Sequence, residues 1–293
     1  MRIVFIGTVE FSYKALERLL AIDADICGVV TRKSSRFNAD YRDITPLCND
    51  FKIPFTYVSD INSDESIAWI NSQRPDIIFC FGWSQLLKKK VLNSAPLGVV
   101  GYHPAELPFN KGRHPIIWAL ALGMGHTVST FFFMDEGPDT GDILSQERIE
   151  IKAEDNAGTL YRKVVNVALG QIEAFLPKLA SKTYERIQQD PKMGNTWRKR
   201  EPSDGKIDWR MSARCIHNLV RALDRPYVGA HFEYKSTKYK VWGTKIITVK
   251  QRNIEPGKIL SINENGPIVK CGEGAIQLIT VDPPPDFKLG EYL

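Results

Sequence analysis

Short, continuously apolar runs alternate with stretches of helical periodicity through the first part of the chain. Residues 3–6 form such a run; Ala15, Leu16, Leu19 and Leu20 then fall on one helical face, and residues 26–31 repeat the run. This βαβ opening predicts a parallel sheet, with ligands beyond the carboxyl ends of its strands. Residues 76–83 read as another buried strand entered through Arg74-Pro75, with Ser84 placed to cap a helix beginning Gln85-Leu86-Leu87. Residues 98–103 form an apolar strand that stops at a His-Pro corner, 127–134 a further strand, 143–151 an edge strand and 156–181 a long amphipathic helix. The fold class expected for residues 1–181 is α/β, a Rossmann-like and mostly parallel sheet with helices on both faces.

From Ser181 onward the pattern turns polar and basic, and residues 182–208 read as a linker. Its run Trp197-Arg198-Lys199-Arg200 suits a solvated connector better than a nucleic-acid clamp. In residues 209–293 a helix is expected from about Ser212 to Leu223, followed by alternating segments at 231–234, 239–242, 246–249 and 276–279 between Gly, Pro and Asn turns. That pattern predicts a small C-terminal β-barrel domain, open or OB-like.

At 293 residues and 43% hydrophobic content the chain can fill both domains. No apolar run approaches the roughly 18 residues of a membrane span, and Met1-Arg2 leads straight into the first strand without a cleavage site, so no membrane partner or secretory signal is expected. Five scattered cysteines without Cys-x-x-Cys spacing indicate neither a disulfide framework nor zinc, and fit a cytoplasmic location. The net charge of +5 suits anionic small molecules as well as nucleic acid. The turn Gly7-Thr8-Val9-Glu10-Phe11-Ser12 has a single glycine, which disfavours a nicotinamide or flavin cofactor. His126, His217 and His231 stand in no ligand-spaced cluster, so no metal is expected.

The candidate chemistry lies at the ends of two strands. Gly98 to His103 runs into Pro104-Ala105-Glu106-Leu107-Pro108-Phe109-Asn110-Lys111-Gly112-Arg113, and the later strand ends in Asp135-Glu136-Gly137-Pro138-Asp139-Thr140-Gly141-Asp142. A histidine with a carboxylate partner can set a tautomer, hold a positive charge or pass a proton. Taken alone, His103 and Asp139 also fit a satisfied surface histidine and a turn-forming aspartate. In the loop after the second strand, Arg32, Lys33 and Arg36 interleave with Phe37, Asn38 and Tyr41, which suits either a solvated loop or a phosphate-bearing substrate.

The whole arrangement, His103-Pro-x-x-Leu-Pro, a Gly-rich turn, Pro115-x-x-Trp118 and Asp135-Glu-Gly-x-Asp-Thr-Gly-Asp-Ile143, resembles the folate-dependent formyltransferases. These include methionyl-tRNA formyltransferases, glycinamide ribonucleotide transformylases and nucleotide-sugar N-formyltransferases. The resemblance implies 10-formyltetrahydrofolate as co-substrate. His103 would hold the oxyanion formed when an amine attacks the formyl carbonyl, and Asp139 would order a water, raise the histidine's basicity and relay the amine proton. Phe81, Gly82, Trp83, Leu86 and Leu87 match the family's pterin-binding loop, and Glu136, Gly137 and Asp139 would complete the folate site. Thr8, Arg32, Lys33, Arg36, Phe37, Asn38, Tyr41, Phe109, Asn110, Lys111, Arg113 and His114 would contact the substrate.

The short second loop resembles the Ser-x-Phe-Asn-x-Asp segment of sugar N-formyltransferases and lacks the longer basic insertion usual in the tRNA enzymes. The expected substrate is therefore a nucleotide-linked amino sugar (dTDP, UDP, GDP or CMP) for a surface glycan, not a nucleic acid. Methionyl-tRNA is the alternative, and a folate- or nucleotide-binding protein without catalysis a further one. Asp204-Gly-x-Ile-Asp-Trp209 and Arg221-Ala222 leading to Pro226-Tyr227-x-Gly229-Ala230 match a C-terminal domain found with both substrate classes. The sugar enzymes are often homodimers, but nothing in the chain marks an interface.

One position departs from the family. An asparagine usually stands two residues before the histidine as a second oxyanion donor, and here that residue is Gly101. Losing one such donor costs about 2.7–4 kcal/mol of transition-state stabilisation. Strand alternation turns Tyr102 to the opposite face. The replacements to consider are a water in the space the glycine leaves, a backbone amide, or the side chain of Asn110 or His114.

Overall fold

A computed structural model describes residues 1–34, 40–250 and 253–293. They divide into two compact units: Met1–Pro115, Thr127–Ile149 and Arg162–Trp197 form the first, and Ile116–His126, Glu150–Tyr161 and Arg198–Leu293 the second. In chain order the elements begin β1 (Ile3–Ile6), α1 (Glu10–Ala21), β2 (Ile26–Thr31), α2 (Thr45–Asp50), β3 (Phe55–Tyr57), α3 (Asp64–Ser72) and β4 (Ile77–Cys80). There follow α4 (Lys89–Leu92), β5 (Val99–His103), β6 (Lys111–Gly112), α5 (Pro115–Ala121), β7 (His126–Phe133), β8 (Ile143–Glu150), α6 (Ala157–Ser181) and β9 (Thr196–Trp197). The last are α7 (Ala213–Ala222), β10 (Ala230–Tyr234), β11 (Thr237–Ile247), β12 (Ile259–Asn263), β13 (Gly266–Lys270) and β14 (Ala275–Asp282).

In the first unit the seven-stranded sheet runs β3-β2-β1-β4-β5-β7-β8. Its members from β3 to β5 are parallel, and β7 joins β5 antiparallel. Strands β1, β2 and β4 are buried at every position, as expected of apolar runs without alternation. The chain leaves β1 toward β2 on one side and later returns to β4 on the other, so the carboxyl ends of β1 and β4 flank a topological switch point. Ser12 ties the two ends together. Its hydroxyl accepts from the amides of Thr8 (3.0 Å) and Val9 (3.1 Å) and donates to the Phe81 carbonyl (2.6 Å). Ser12→Ala is expected to lower stability by about 2–3 kcal/mol, because three buried backbone groups lose a partner; urea unfolding of the purified variant measures it.

Two expectations about local structure are corrected. No helix begins at Gln85, since regular helix starts only at Lys89. The loop is instead held by side chains: Gln85 Oε1 accepts from the Ile61 amide (3.1 Å), Asn62 Nδ2 donates to the Leu86 carbonyl (3.0 Å) and Asn62 Oδ1 accepts from the Lys88 amide (2.7 Å). The bond to Lys88 satisfies an amide of the kind that a helical N-terminus leaves to a cap. Nor is 182–208 a simple connector. Ile187 exchanges backbone hydrogen bonds with Ile143 (2.8 and 2.9 Å), and β9 pairs in parallel with β6, so the segment up to Trp197 belongs to the first unit. It buries little apolar surface, which is why its composition reads as a linker.

The basic run beyond Trp197 is engaged inside the second unit. Arg198 pairs with the Asp204 carboxylate, and the Arg198 and Arg200 guanidinium carbons lie 5.4 and 4.6 Å from the Trp118 ring. The Trp118 indole N–H donates to the Arg198 carbonyl at 3.0 Å. Helix α7 starts where expected, with Ser212 accepting from the Cys215 amide at 3.1 Å. The sheet of this unit is antiparallel with the order β10-β11-β14-β13-β12. Segments 239–242 and 246–249 read as separate strands, but residues 239–242 and 246–247 belong to the single β11, whose register shifts around Gly243 and which ends at Ile247. Strands β12 and β13 escaped the pattern because Ser261, Asn263 and Pro267 interrupt it.

His217 accounts for a pH dependence in this unit. Burial, with Arg221 and Arg214 nearby, holds its imidazole below the ordinary histidine value, and Thr244 Oγ1 lies 2.9 Å from Nδ1. The unfolded chain then takes up the proton first, so this contribution is complete above about pH 6.5 and is lost as pH falls through the lower folded-state value. His231 is shifted in the same direction, chiefly by burial. His217→Asn is expected to flatten part of the slope, measured as the difference in urea midpoint between pH 7.5 and pH 5.5.

Candidate active site

Alternation along β5 sets the site. Gly101, Tyr102 and His103 pair with Phe132, Phe131 and Thr130 of β7. The Tyr102 ring packs 4.4 Å from Phe11 and 4.7 Å from Phe131, and its hydroxyl lies 3.0 Å from Ser129 Oγ. Burial pushes its phenol upward. Gly101 and His103 therefore share the other face.

His103 is buried, and its Nε2 lies 2.9 Å from the Asn110 carbonyl. A carbonyl only accepts, so Nε2 carries the proton and the tautomer is fixed. Nδ1 faces Asp139 Oδ2 at 3.7 Å, and that oxygen also accepts the Gly112 N–H at 2.9 Å. The His-Pro corner is braced by Thr127 Oγ1 donating to the Pro104 carbonyl (3.0 Å), Thr130 Oγ1 to that of Ala105 (2.6 Å) and Gln146 Nε2 to that of Leu107 (2.9 Å). Asn110 and Asp139 both take left-handed backbone conformations, with φ of 62° and 59°. Asn195 Oδ1 accepts from the Asn110 amide at 2.9 Å; Gln189 Nε2 donates to the carbonyls of Asp139 (3.1 Å) and Gly141 (2.7 Å). Sequence reasoning missed Ser12, Gln189 and Asn195, which have polar side chains in turns or in the apparent linker and leave no periodic signal.

The space beside Gly101 is filled. A Cβ there would lie 2.8 Å from Met134 Cγ, 3.1 Å from its Sδ and 3.2 Å from Phe132 Cζ. The water considered for that space has no room. Of Asn110 and His114, the former is hydrogen-bonded to His103 through its carbonyl, while His114 takes a φ of 57° immediately before α5.

Two residues of the expected pterin loop are buried. The Phe81 ring is fully buried against Phe5, Phe11, Phe79 and Phe131, and both its amide and its carbonyl are taken, by Ile6 and Ser12. Leu87 is a core residue packed with Ile61, Ile70 and Val91. Both side chains thus pack in the core. Gly82 (φ 69°) approaches Val9 so closely that a Cβ would lie 2.2 Å from Val9 Cγ2. Leu86 is 61% exposed. The Arg32 guanidinium lies 4.8 Å from the Trp83 ring, and Arg32 Nε, Trp83 Nε1 and Thr8 Oγ1 are buried with no hydrogen-bond partner.

The remaining candidates are less convergent. Tyr41 OH donates to the carbonyls of Arg32 (3.1 Å) and Lys33 (2.7 Å), pinning the start of the second loop. Arg36, Phe37 and Asn38 lie outside the described residues. Arg113 Nη1 reaches the Ser84 carbonyl at 3.4 Å, linking the corner loop to the loop after β4. Lys111 sits in β6, and Phe109 is 40% exposed. Glu136 is 3.9 Å from Lys89 at the surface, and the Gly137 amide donates to Asp135 Oδ1 at 3.0 Å. Among the described residues no group of three or more His, Cys, Asp or Glu is placed to hold a metal ion, and no helix is long and apolar enough to cross a membrane.

A family model described as formyl transferase matches residues 1–172, and one described as formyl transferase, C-terminal domain, matches residues 199–286. The chain belongs to the formyl transferase family. Methionyl-tRNA formyltransferase of Acetivibrio thermocellus is 32% identical to this formyltransferase over 280 residues, covering 94% of this chain and 90% of its own. The crystal structure of WlaRD, a sugar 3N-formyl transferase, in the presence of dTDP and 5-N-formyl-THF superposes with a TM-score of 0.71 at 18% identity, over 97% of this chain and 99% of that one. The N-formyltransferase from Helicobacter canadensis, in complex with folinic acid and dTDP-3-aminofucose, gives 0.69 at 16% identity, over 94% and 98%. At such identities the two structures speak to the fold alone.

Proposed function

We propose that this formyltransferase moves the formyl group of 10-formyltetrahydrofolate to the amine of a nucleotide-linked amino sugar, a building block for surface glycans. The observation that carries the reading is the set of unpartnered buried atoms after β1, β2 and β4: Thr8 Oγ1, Arg32 Nε and Trp83 Nε1. Buried polar atoms are normally hydrogen-bonded, so three of them following neighbouring strands at a switch point suit a polar ligand. A guanidinium, an indole N–H and a hydroxyl match phosphate oxygens and pterin heteroatoms. Gly82, Trp83 and Leu86 would hold the pterin, and Arg32 and Thr8 the polar groups of the ligands.

In the reaction the amine nitrogen bonds to the formyl carbon and the bond from that carbon to N10 breaks. The amine gives up a proton, and N10 gains one. With Nε2 bonded to Asn110, the nitrogen His103 has left to offer is Nδ1. In the protonated form Nδ1–H can stabilise the developing oxyanion, and the Asp139 carboxylate beside it supports that charge and receives the amine proton. No asparagine assists from position 101.

Methionyl-tRNA is the second reading, favoured by the relative that is 32% identical over 94% of this chain. Against it, Arg198 and Arg200 are engaged by Asp204 and Trp118, leaving them poorly placed to track a phosphate backbone. The deciding experiment offers 10-formyltetrahydrofolate with dTDP-, UDP-, GDP- and CMP-linked amino sugars and, separately, with methionyl-tRNA, and follows amine-dependent deformylation of the folate. Turnover with an amino sugar is expected; turnover with tRNA alone, with steeply salt-dependent binding, would replace the proposal by the second reading.

A further inference from the structure

We infer that the segment from Ile187 to Trp197 is a strap that sets the His103–Asp139 geometry, with Gln189 and Asn195 as positioning residues. This rests on the catalytic reading of His103 and Asp139 proposed above. The strap is anchored at one end by the Ile187–Ile143 backbone pair and at the other by β9 on β6. Between these anchors it meets both turns that carry the chemistry. Gly194 fits so closely under the corner that a Cβ would lie 1.9 Å from the Pro108 carbonyl oxygen, and its φ of 97° suits glycine.

The two polar contacts fall where the backbone needs them. Asn110 and Asp139 are non-glycine residues in the left-handed region, a conformation that persists when surrounding bonds over-determine it. Each has a group of its own main chain caught by a strap side chain: the Asp139 carbonyl by Gln189, the Asn110 amide by Asn195. Through Asn110 the second contact reaches His103, whose Nε2 donates to the carbonyl of that same residue. Through Asp139 the first fixes the carboxylate that accepts the Gly112 N–H and faces Nδ1.

The two amides work in opposite senses. Gln189 is 7% exposed, its nitrogen serves two carbonyls, and its Oε1 is buried with no partner. Both acceptors are carbonyls, so the orientation of the amide is unambiguous. An idle buried oxygen carries a desolvation cost, which makes the donating nitrogen the useful half of the side chain. Asn195 acts toward Asn110 through its oxygen alone.

That polarity gives the test. Gln189→Met and Gln189→Glu remove or impair the double donation, and kcat is expected to fall roughly tenfold to hundredfold, the scale of a misplacement near 1 Å, with both KM values within about twofold of wild type. Asn195→Leu should lower kcat by a smaller factor, and Asn195→Asp, which keeps the acceptor, should rescue it. Two signatures in the full-length protein need no substrate. The Gly112 amide proton, deshielded by the Asp139 carboxylate, should move upfield in the Gln189 variants, and the His103 ring nitrogens should lose their single-tautomer pattern in Asn195→Leu. Folded Gln189 variants with wild-type kcat and an unmoved Gly112 amide would overturn the inference. So would failure of both to fold, because Gln189 would then hold the fold rather than orient the site. If both spectral changes occur while wild-type protein turns over no offered amine, the strap stands and the substrate reading fails.

Discussion

His103→Ala is expected to lower formyl transfer by about two to four orders of magnitude. The size follows from the geometry. Gly101 and His103 share one face of β5, Gly101 offers no side-chain group, and Tyr102 is turned away into the Phe11 and Phe131 cluster. The protonated ring's Nδ1–H is then the donor that β5 presents, with Nε2 taken by the Asn110 carbonyl. Asp139→Asn keeps the shape and an acceptor for the Gly112 amide but removes the charge, so a loss of roughly a hundredfold is expected, mostly in kcat. Single-turnover rates with saturating folate and the responsive amine check both variants. A His103→Ala protein that retains a tenth or more of parental turnover would mean that the oxyanion is stabilised elsewhere.

Gly101→Asn is expected to destabilise the protein by about 1–3 kcal/mol and to leave activity no higher, although it restores the residue usual in related enzymes. The Cβ alone would come 2.8 Å from Met134 Cγ, a mid-chain atom with little freedom to retreat, and the Phe132 ring closes the other side. Gly101→Asn combined with Met134→Ala removes the obstruction, and the pair is expected to recover most of the stability lost by the single change. The two residues share a contact, so their effects should not add. Urea midpoints of the single and double variants measure the coupling. Additive behaviour would show that Met134 does not fill the space. The filled pocket also indicates that this protein accommodates the missing asparagine by packing rather than by a water.

Much of the site can be read from the amino-acid sequence alone. The corner after β5 is legible because two prolines and a glycine constrain the backbone locally, and the Asp139 turn because Gly137, Pro138 and Gly141 do the same. The loop after β4 is less legible. Phe81 and Leu87 look like ligand-enclosing apolar residues in a linear reading, and only the fold shows that both pack in the core. Ser84 resembles a helix cap, yet Asn62 satisfies the loop backbone at Leu86 and Lys88.

The buried strands β1, β2 and β4 were determined by the sequence itself, since runs such as residues 3–6 and 26–31 bury both faces and have no other stable placement. So were the identities of His103 and Asp139 as the candidate chemical pair. Their 3.7 Å approach, the filled space at Gly101 and the strap carrying Gln189 and Asn195 were decided by the tertiary structure. The physical reason is the range of the forces. Apolar periodicity is written along neighbouring residues, whereas a hydrogen bond from Gln189 to the Asp139 carbonyl joins polar groups far apart in the chain and exists only once both have been brought to the same place.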